Sequence, residues 1–213
     1  MKTTTPATPY ANALFRQTLE GIQAVLGEKG LQATLAAANL SQLAQDLPAN
    51  DLAQAHTLAE HVRLLEAVEG LTGRGGRQTL YHIGRAAFAW SVRHPANPLP
   101  LVPLVRKSLP QRLTAWVTLR ALADGLMELW PAARIQLRRE GDGLVWLDET
   151  CPVCTGRVSS RPVCSATAGY LVAAVAYGTG REVAQYRVTE TACRAGGAPH
   201  CRFELIRVVP GGG

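Results

Sequence analysis

The residues best suited to chemistry are five cysteines, Cys151, Cys154, Cys164, Cys193 and Cys201, all within the last 63 of 213 residues. An odd number crowded into one region argues against a disulfide framework and for metal or redox chemistry. Glu190 stands three residues before Cys193, and Cys201 eight after it. The intervening RAGGAPH reads as the tight loop of a β-hairpin, so Cys193 and Cys201 can meet. In a regular strand Glu190 and Cys193 face opposite sides, unless a bend or bulge falls between them. Cys164 opens an Ala-rich helix whose positive end favours a thiolate, and it can supply a third sulfur. Three thiolates and a carboxylate suit four-coordinate zinc. Cys151-Pro-Val-Cys154 offers alternative ligands. This pair can join the same ion, complete a four-cysteine iron–sulfur site or act as a redox dithiol. Five sulfurs exceed one tetrahedral set, so at least one is a spare. His200, beside Cys201, is a further candidate ligand. A lone cysteine is best read as a small buried hydrophobe, but five at turns beside Glu and Gly favour metal binding.

The elements that must position these side chains follow from periodicity. Residues 1–8 read as a frayed end. Apolar residues spaced by three and four predict a helix from Tyr10 to about Leu26, ending near Gly27–Gly30. A second helix is expected over 31–43, and a third over 51–70 with Asp51 as its cap. A helix over about 77–93 precedes a segment with four prolines between 95 and 103, which excludes regular helix. A long helix then starts at Ser108-Leu-Pro110 and runs to about Trp130. After Pro131 the period becomes two. A hairpin is expected around Gly141-Asp-Gly143, then a cysteine loop over 149–161 and an Ala-rich helix over 162–177. A second hairpin spans 183–209, and PGGG forms a tail. Helices first and hairpins later make an α+β pattern, a helical N-terminal half on an antiparallel sheet.

Composition narrows the function classes. An apolar fraction of 47% against 18% charged excludes wholesale disorder. No apolar run approaches the ~20 residues of a membrane span. The opening MKTTTPATPY has no apolar secretion segment, so the expected location is the cytoplasm. Residues 1–72 carry four Lys/Arg and seven Asp/Glu, and residues 73–213 carry eighteen and nine. Without runs of like charge or a recognition motif, this basic half reads as a solvated Arg-rich surface, and no nucleic-acid partner is expected.

VCSATAGYLVAAVAYGTGREV followed by ETACRAGGAPHCRFEL resembles the 4-vinyl reductase-type ligand-binding domain, over residues 162–205 most clearly and back to about residue 73 more weakly. That family includes an accessory protein of bacteriochlorophyll biosynthesis and the sensory half of aromatic-responsive transcription activators. It shares a fold with vesicle-tethering TRAPP subunits. The resemblance implies a four-stranded antiparallel sheet with an apolar pocket between helices and sheet. It also implies a structural zinc held by Glu190, Cys193, Cys201 and, as the fourth ligand, Cys164. The strand leading to Glu190 is a few residues long by the family pattern, and the CPVC pair is additional.

On this reading residues 1–72 are an N-terminal helical extension available for dimerisation, 73–209 the ligand-binding domain and 210–213 a tail. The expected ligand is small, hydrophobic or planar, such as a tetrapyrrole or another aromatic, held by a carrier, sensor or accessory protein. Tyr81, His82, Arg85 and Phe88 share a helix. There Arg85 is placed to hold a ligand carboxylate and His82 to ligate a tetrapyrrole's metal, although a lone histidine is more often a satisfied structural one. Trp146 and Tyr170 are further pocket candidates, and Trp116 is expected in the core. Small residues of the Ala-rich helix either pack closely or leave room for a ligand. No phosphate-binding glycine pattern and no nucleophile–base spacing supports catalysis. The alternatives are an iron–sulfur or dithiol redox protein of pigment metabolism, and a protein-interaction module that binds a protein partner or forms a homodimer.

Overall fold

The computed structural model describes residues 8–93 and 109–208. The expected frayed N-terminus up to residue 7, the proline-rich stretch, the Ser108 cap and the C-terminal tail from residue 209 lie outside the described residues.

The helical half begins with a short strand, β1 (Pro9–Tyr10), followed by α1 (Asn12–Ala37). Leu14, Phe15, Leu19 and Ile22 of α1 are all at most 3% exposed. Gly27 interrupts α1 with φ 72° and ψ 177°, a left-handed excursion that glycine tolerates. The expected break is therefore a kink within one long element. The helix then stops at Ala37, before Asn39 at φ 57°, rather than continuing to residue 43; Ser41–Ala44 form a 3₁₀ turn.

The next helix, α2, covers Leu58–Thr72, not 51–70. Its cap is Thr57, whose hydroxyl accepts from Glu60 N–H (3.2 Å) while Glu60 accepts from Thr57 N–H (2.7 Å), a reciprocal capping box. Asp51 instead accepts from the Asn12 side chain at 2.9 Å and ties the intervening loop to α1. A second short strand, β2 (His56–Thr57), pairs antiparallel with β1, a ladder too brief for periodicity to reveal.

Two further helices, α3 (Gly76–Ser91) and α4 (Gln111–Leu129), follow. Trp116 of α4 is not in the core: it is only partly buried, with the Arg139 guanidinium stacked 4.8 Å from its ring centroid.

The sheet is four-stranded and antiparallel. It comprises β3 (Ile135–Glu140), β4 (Gly143–Asp148), β5 (Tyr186–Ala192) and β6 (Cys201–Arg207), in the order β3-β4-β6-β5. The last strand thus lies between the two hairpins. Cross-strand pairs Leu137–Trp146, Trp146–Phe203 and Leu144–Leu205 put alternate apolar residues on one inner face. Helix α5 (Ser165–Thr179) links the hairpins and packs against α3. That crossing is very close: a Cβ on Gly84 of α3 would lie 1.9 Å from the Ala166 carbonyl oxygen, and one on Gly169 of α5 1.9 Å from that of Tyr81. The small residues of α5 therefore serve close backbone packing. One continuous apolar cluster runs from Leu14 and Leu65 through Ile83 and Leu171 to Trp146 and Phe203, spanning the helical half and the sheet. The α+β class is as expected. Among the described residues no helix is long and apolar enough to cross a membrane.

Candidate metal centre and adjoining cavity

Each cysteine is placed by a different local device. At the end of β4, Asp148 Oδ1 accepts from the Thr150 N–H (2.9 Å) and hydroxyl (3.0 Å), an Asx-type turn that leads into the cysteine loop. That loop is held against α2 by Arg157, which pairs with Glu66 and Glu69. It is held against the second hairpin by Ser159 N–H donating to Ala195 O at 2.9 Å. Cys164 sits at the N-cap of α5, and its N–H donates to Glu190 Oε2 at 2.8 Å. The register of β5 on β6 shifts between Glu190 and Ala192. This bulge is the irregularity that the Glu190–Cys193 spacing requires to bring both side chains to one side.

All five sulfurs are buried. The Sγ–Sγ distances are 3.4 Å for Cys151–Cys164, 3.3 Å for Cys154–Cys201, 3.7 Å for Cys164–Cys193 and 3.8 Å for Cys164–Cys201. These are far beyond a disulfide bond of about 2.05 Å. They approach the edge of a tetrahedron built on zinc–sulfur bonds of about 2.3 Å, which is about 3.8 Å. The donors form two sets, each within 4.8 Å: Cys151, Cys154, Cys164 and Cys201, and Cys164, Glu190, Cys193 and Cys201. His200 belongs to neither set.

The electrostatics suit a cation. The donation of S–H groups by crowded neighbours lowers Cys154 and takes Cys193 down to about 5, while Cys151 and Cys164 are pushed up as the donors. Burial pushes Glu190 up to about 8, and its Oε1 is buried without a partner. An ion in place of the shared protons would satisfy every one of these groups.

Next to this cluster lies a cavity of about 100 Å³ between α1, α2, α3, α5 and the sheet, lined among others by Leu14, Leu65, Ile83, Ala166 and Leu171. The cysteine loop contributes Pro152 and Val153 to its wall, so the two features share a segment. Its polar lining is sparse. Tyr170 OH donates toward Gln17 Oε1 at 3.4 Å and lies 3.3 Å from Ser91 Oγ. Trp146, 1% exposed, has a buried indole N–H with no partner. Burial lifts Asp148 to about 6.

His61, 4% exposed, has Nδ1 3.1 Å from Pro152 O and Nε2 3.1 Å from Thr18 Oγ1. A carbonyl only accepts, so Nδ1 carries the proton and Nε2 faces Thr18 as acceptor. Burial takes its pKa down to about 4. The folded protein then holds His61 neutral while the unfolded chain protonates it near 6.5. The resulting stabilisation is complete above that value and is lost as pH falls toward 4, by about 3 kcal/mol. Urea unfolding of wild type and His61→Gln from about pH 7 to about pH 4.5 should therefore show wild type losing stability relative to the variant as pH falls. Parallel curves would count against a neutral buried ring.

Of the residues singled out in the sequence, Cys164, Glu190, Cys193 and Cys201 come together, and Cys151 and Cys154 join them. Trp146 and Tyr170 line the cavity. Tyr81, His82, Arg85 and Phe88 are not among its lining residues. His82 is exposed, with Nε2 2.9 Å from Gln78 Nε2. Arg85 and Phe88 border a shallow surface groove with Tyr177, and Phe88 also packs edge-on to Tyr170. The α3 residues that do line the cavity are Ile83, Gly84 and Ala87, on a neighbouring face of the same helix. Tyr10, Gln17, Thr18, His61 and Asp148 also line it and carry no signal of their own in the sequence. The Thr57-x-x-Glu60 capping signal is the available clue to the placement of α2 and hence of His61.

Residues 148–207 match the model of the 4-vinyl reductase domain family. No curated protein matches the chain in sequence. Among solved structures, an H-NOX protein from S. oneidensis in the Fe(II)NO ligation state aligns at TM-score 0.54 and 13% identity, over 93% of this chain and 99% of that one. The IWP-051-bound H-NOX from Shewanella woodyi aligns at TM-score 0.55 and 14% identity, over 95% and 96%. The phenol-responsive sensory domain of the transcription activator PoxR aligns at TM-score 0.47 and 18% identity, over 68% and 73%, a likeness that decides nothing about the ligand. The two H-NOX alignments establish a common fold. All six metal-type donors fall inside the matched segment, and that segment, residues 148–207, is a 4-vinyl reductase-type domain.

Proposed function

We propose that this chain is a ligand-binding module that takes a small, largely apolar molecule bearing one polar group into the cavity, and that the cysteine–glutamate cluster holds zinc. The observation that carries the ligand reading is the unpartnered indole N–H of Trp146 in the wall of an otherwise apolar cavity. A buried donor left unpaired costs about 1–3 kcal/mol, a cost that a ligand oxygen would remove. An apolar cavity of about 150 Å³ takes benzene, so about 100 Å³ places a single ring at the upper size limit. That favours a phenol-sized ligand over a tetrapyrrole. In this reading the helices before residue 73 belong to the ligand-binding unit, because Tyr10, Leu14 and His61 line the cavity. Bound ligand would stabilise one arrangement of the helices, which a partner can sense.

Zinc saturated by protein donors supplies structure rather than Lewis-acid chemistry. An iron–sulfur cluster interposes iron and sulfide between its cysteines, whereas each quartet here lies within 4.8 Å. The close spacing therefore supports direct coordination of an ion. Cys164 anchors α5, Glu190 and Cys193 anchor β5 and its following turn, and Cys201 anchors β6, so the ion would pin the helix to the sheet beside the cavity.

Calorimetric titration with phenol, toluene and a tetrapyrrole tests the ligand reading. Phenol should bind wild type and bind Trp146→Phe about 10-fold more weakly, the equivalent of one hydrogen bond. Toluene should not distinguish the two. Tight binding of the tetrapyrrole with none of phenol would overturn the size assignment.

A further inference from the structure

We propose that the cluster is a binuclear centre holding two divalent ions, in which Cys164 and Cys201 bridge. This deepens the metal reading above and rests on it. Two four-donor sets exist among the described residues, and their only common members are Cys164 and Cys201. Each set keeps a private pair: Cys151 with Cys154, and Glu190 with Cys193. Two tetrahedra that share one edge have this composition, with two terminal donors on each ion and two donors in common. The shared edge of such a pair is about 3.8 Å for zinc–sulfur bonds of about 2.3 Å. Cys164 Sγ and Cys201 Sγ are 3.8 Å apart.

Charge and burial agree with two ions rather than one. Five thiolates and a carboxylate carry six negative charges, and all five cysteines are buried. One divalent ion would leave one private pair packed without a cation, as thiols or an unbalanced carboxylate, in a region where unpaired charge is costly. Two ions leave two negative charges. Backbone donors offset part of these, since Arg194 N–H donates to Cys201 Sγ at 3.4 Å and Cys164 N–H to Glu190. The fifth sulfur is then no spare: the Cys151-Pro-Val-Cys154 pair completes the second ion's shell. The private donors also come from separate segments, the cysteine loop and the β5 end, so each ion would fix a different piece of chain to the same α5–β6 edge.

Native mass spectrometry of the protein reconstituted with zinc, supported by ¹¹³Cd NMR of the cadmium form, tests this. Two ions per chain and two coupled cadmium resonances are expected. Cys151→Ser/Cys154→Ser and Glu190→Gln/Cys193→Ser should each retain one. One ion per wild-type chain overturns the binuclear proposal and leaves the single zinc site standing. No bound ion, or acid-labile sulfide with iron, overturns both. The wild-type stoichiometry decides the matter even if the variants fail to fold.

Discussion

Cys164→Ser/Cys201→Ser is expected to leave the protein without bound metal and to lower its stability by at least about 4 kcal/mol, which in a chain of this size is about 8–16 °C in Tm. These two thiolates belong to both four-donor sets, so no complete set survives their loss. The destabilisation has an identifiable place. Cys164 is the first fixed point of α5, and Cys201 begins the strand paired to both β4 and β5. A strong chelator should reproduce the drop in wild type and do nothing to the variant. Equal melting of wild type and variant, with or without chelator, would show that the corner holds without an ion.

The second large effect concerns the α3–α5 crossing. Gly169→Ala should cost about 3 kcal/mol, at the upper end of overpacking penalties. The added methyl would meet the Tyr81 carbonyl oxygen at 1.9 Å, and backbone cannot turn aside as a side chain can. The helices must part, and Ala166, Thr167 and Gly84, which line the cavity near this crossing, must move with them. The melting temperature should fall by about 6–12 °C, and phenol affinity should fall with it. Gly143→Ala, at a sheet edge remote from the cavity, offers a control for a mere loss of stability: it should leave phenol binding intact. A Gly169→Ala protein that melts like wild type would contradict the close approach of the two helices.

The metal donors are the most legible part of the sequence because their spacing is local. A hairpin turn brings Cys193 and Cys201 together, and the odd Glu190–Cys193 interval demands a bulge that the sheet contains. The destination of the cysteine loop is less legible. The positions of Cys151 and Cys154 depend on Asp148 turning the chain and on Arg157 reaching α2, the latter a long-range contact that no interval encodes. The cavity lies on a different face of α3 from the one the sequence suggests. Chemistry-bearing side chains draw attention to Tyr81, His82 and Arg85, whereas small and apolar residues such as Ile83 and Ala87 make the wall. His61 is hidden in the sequence because Asp51 has the chemistry of a cap, yet it serves Asn12 instead. Helix periodicity identifies a buried stripe, but it does not say whether the stripe meets another helix or an opening.

The claim that the cavity binds a ligand through Trp146 has a direct readout in its indole N–H. The chain contains four tryptophans, so the ¹⁵N indole spectrum is simple, and Trp146→Phe identifies the resonance. On titration with phenol, the Trp146 N–H should shift downfield and saturate as a hydrogen bond forms, while toluene moves it little. A Trp146 resonance that stays in place at saturating phenol, while signals from the outer groove around Phe88 and Tyr177 move, would contradict the account.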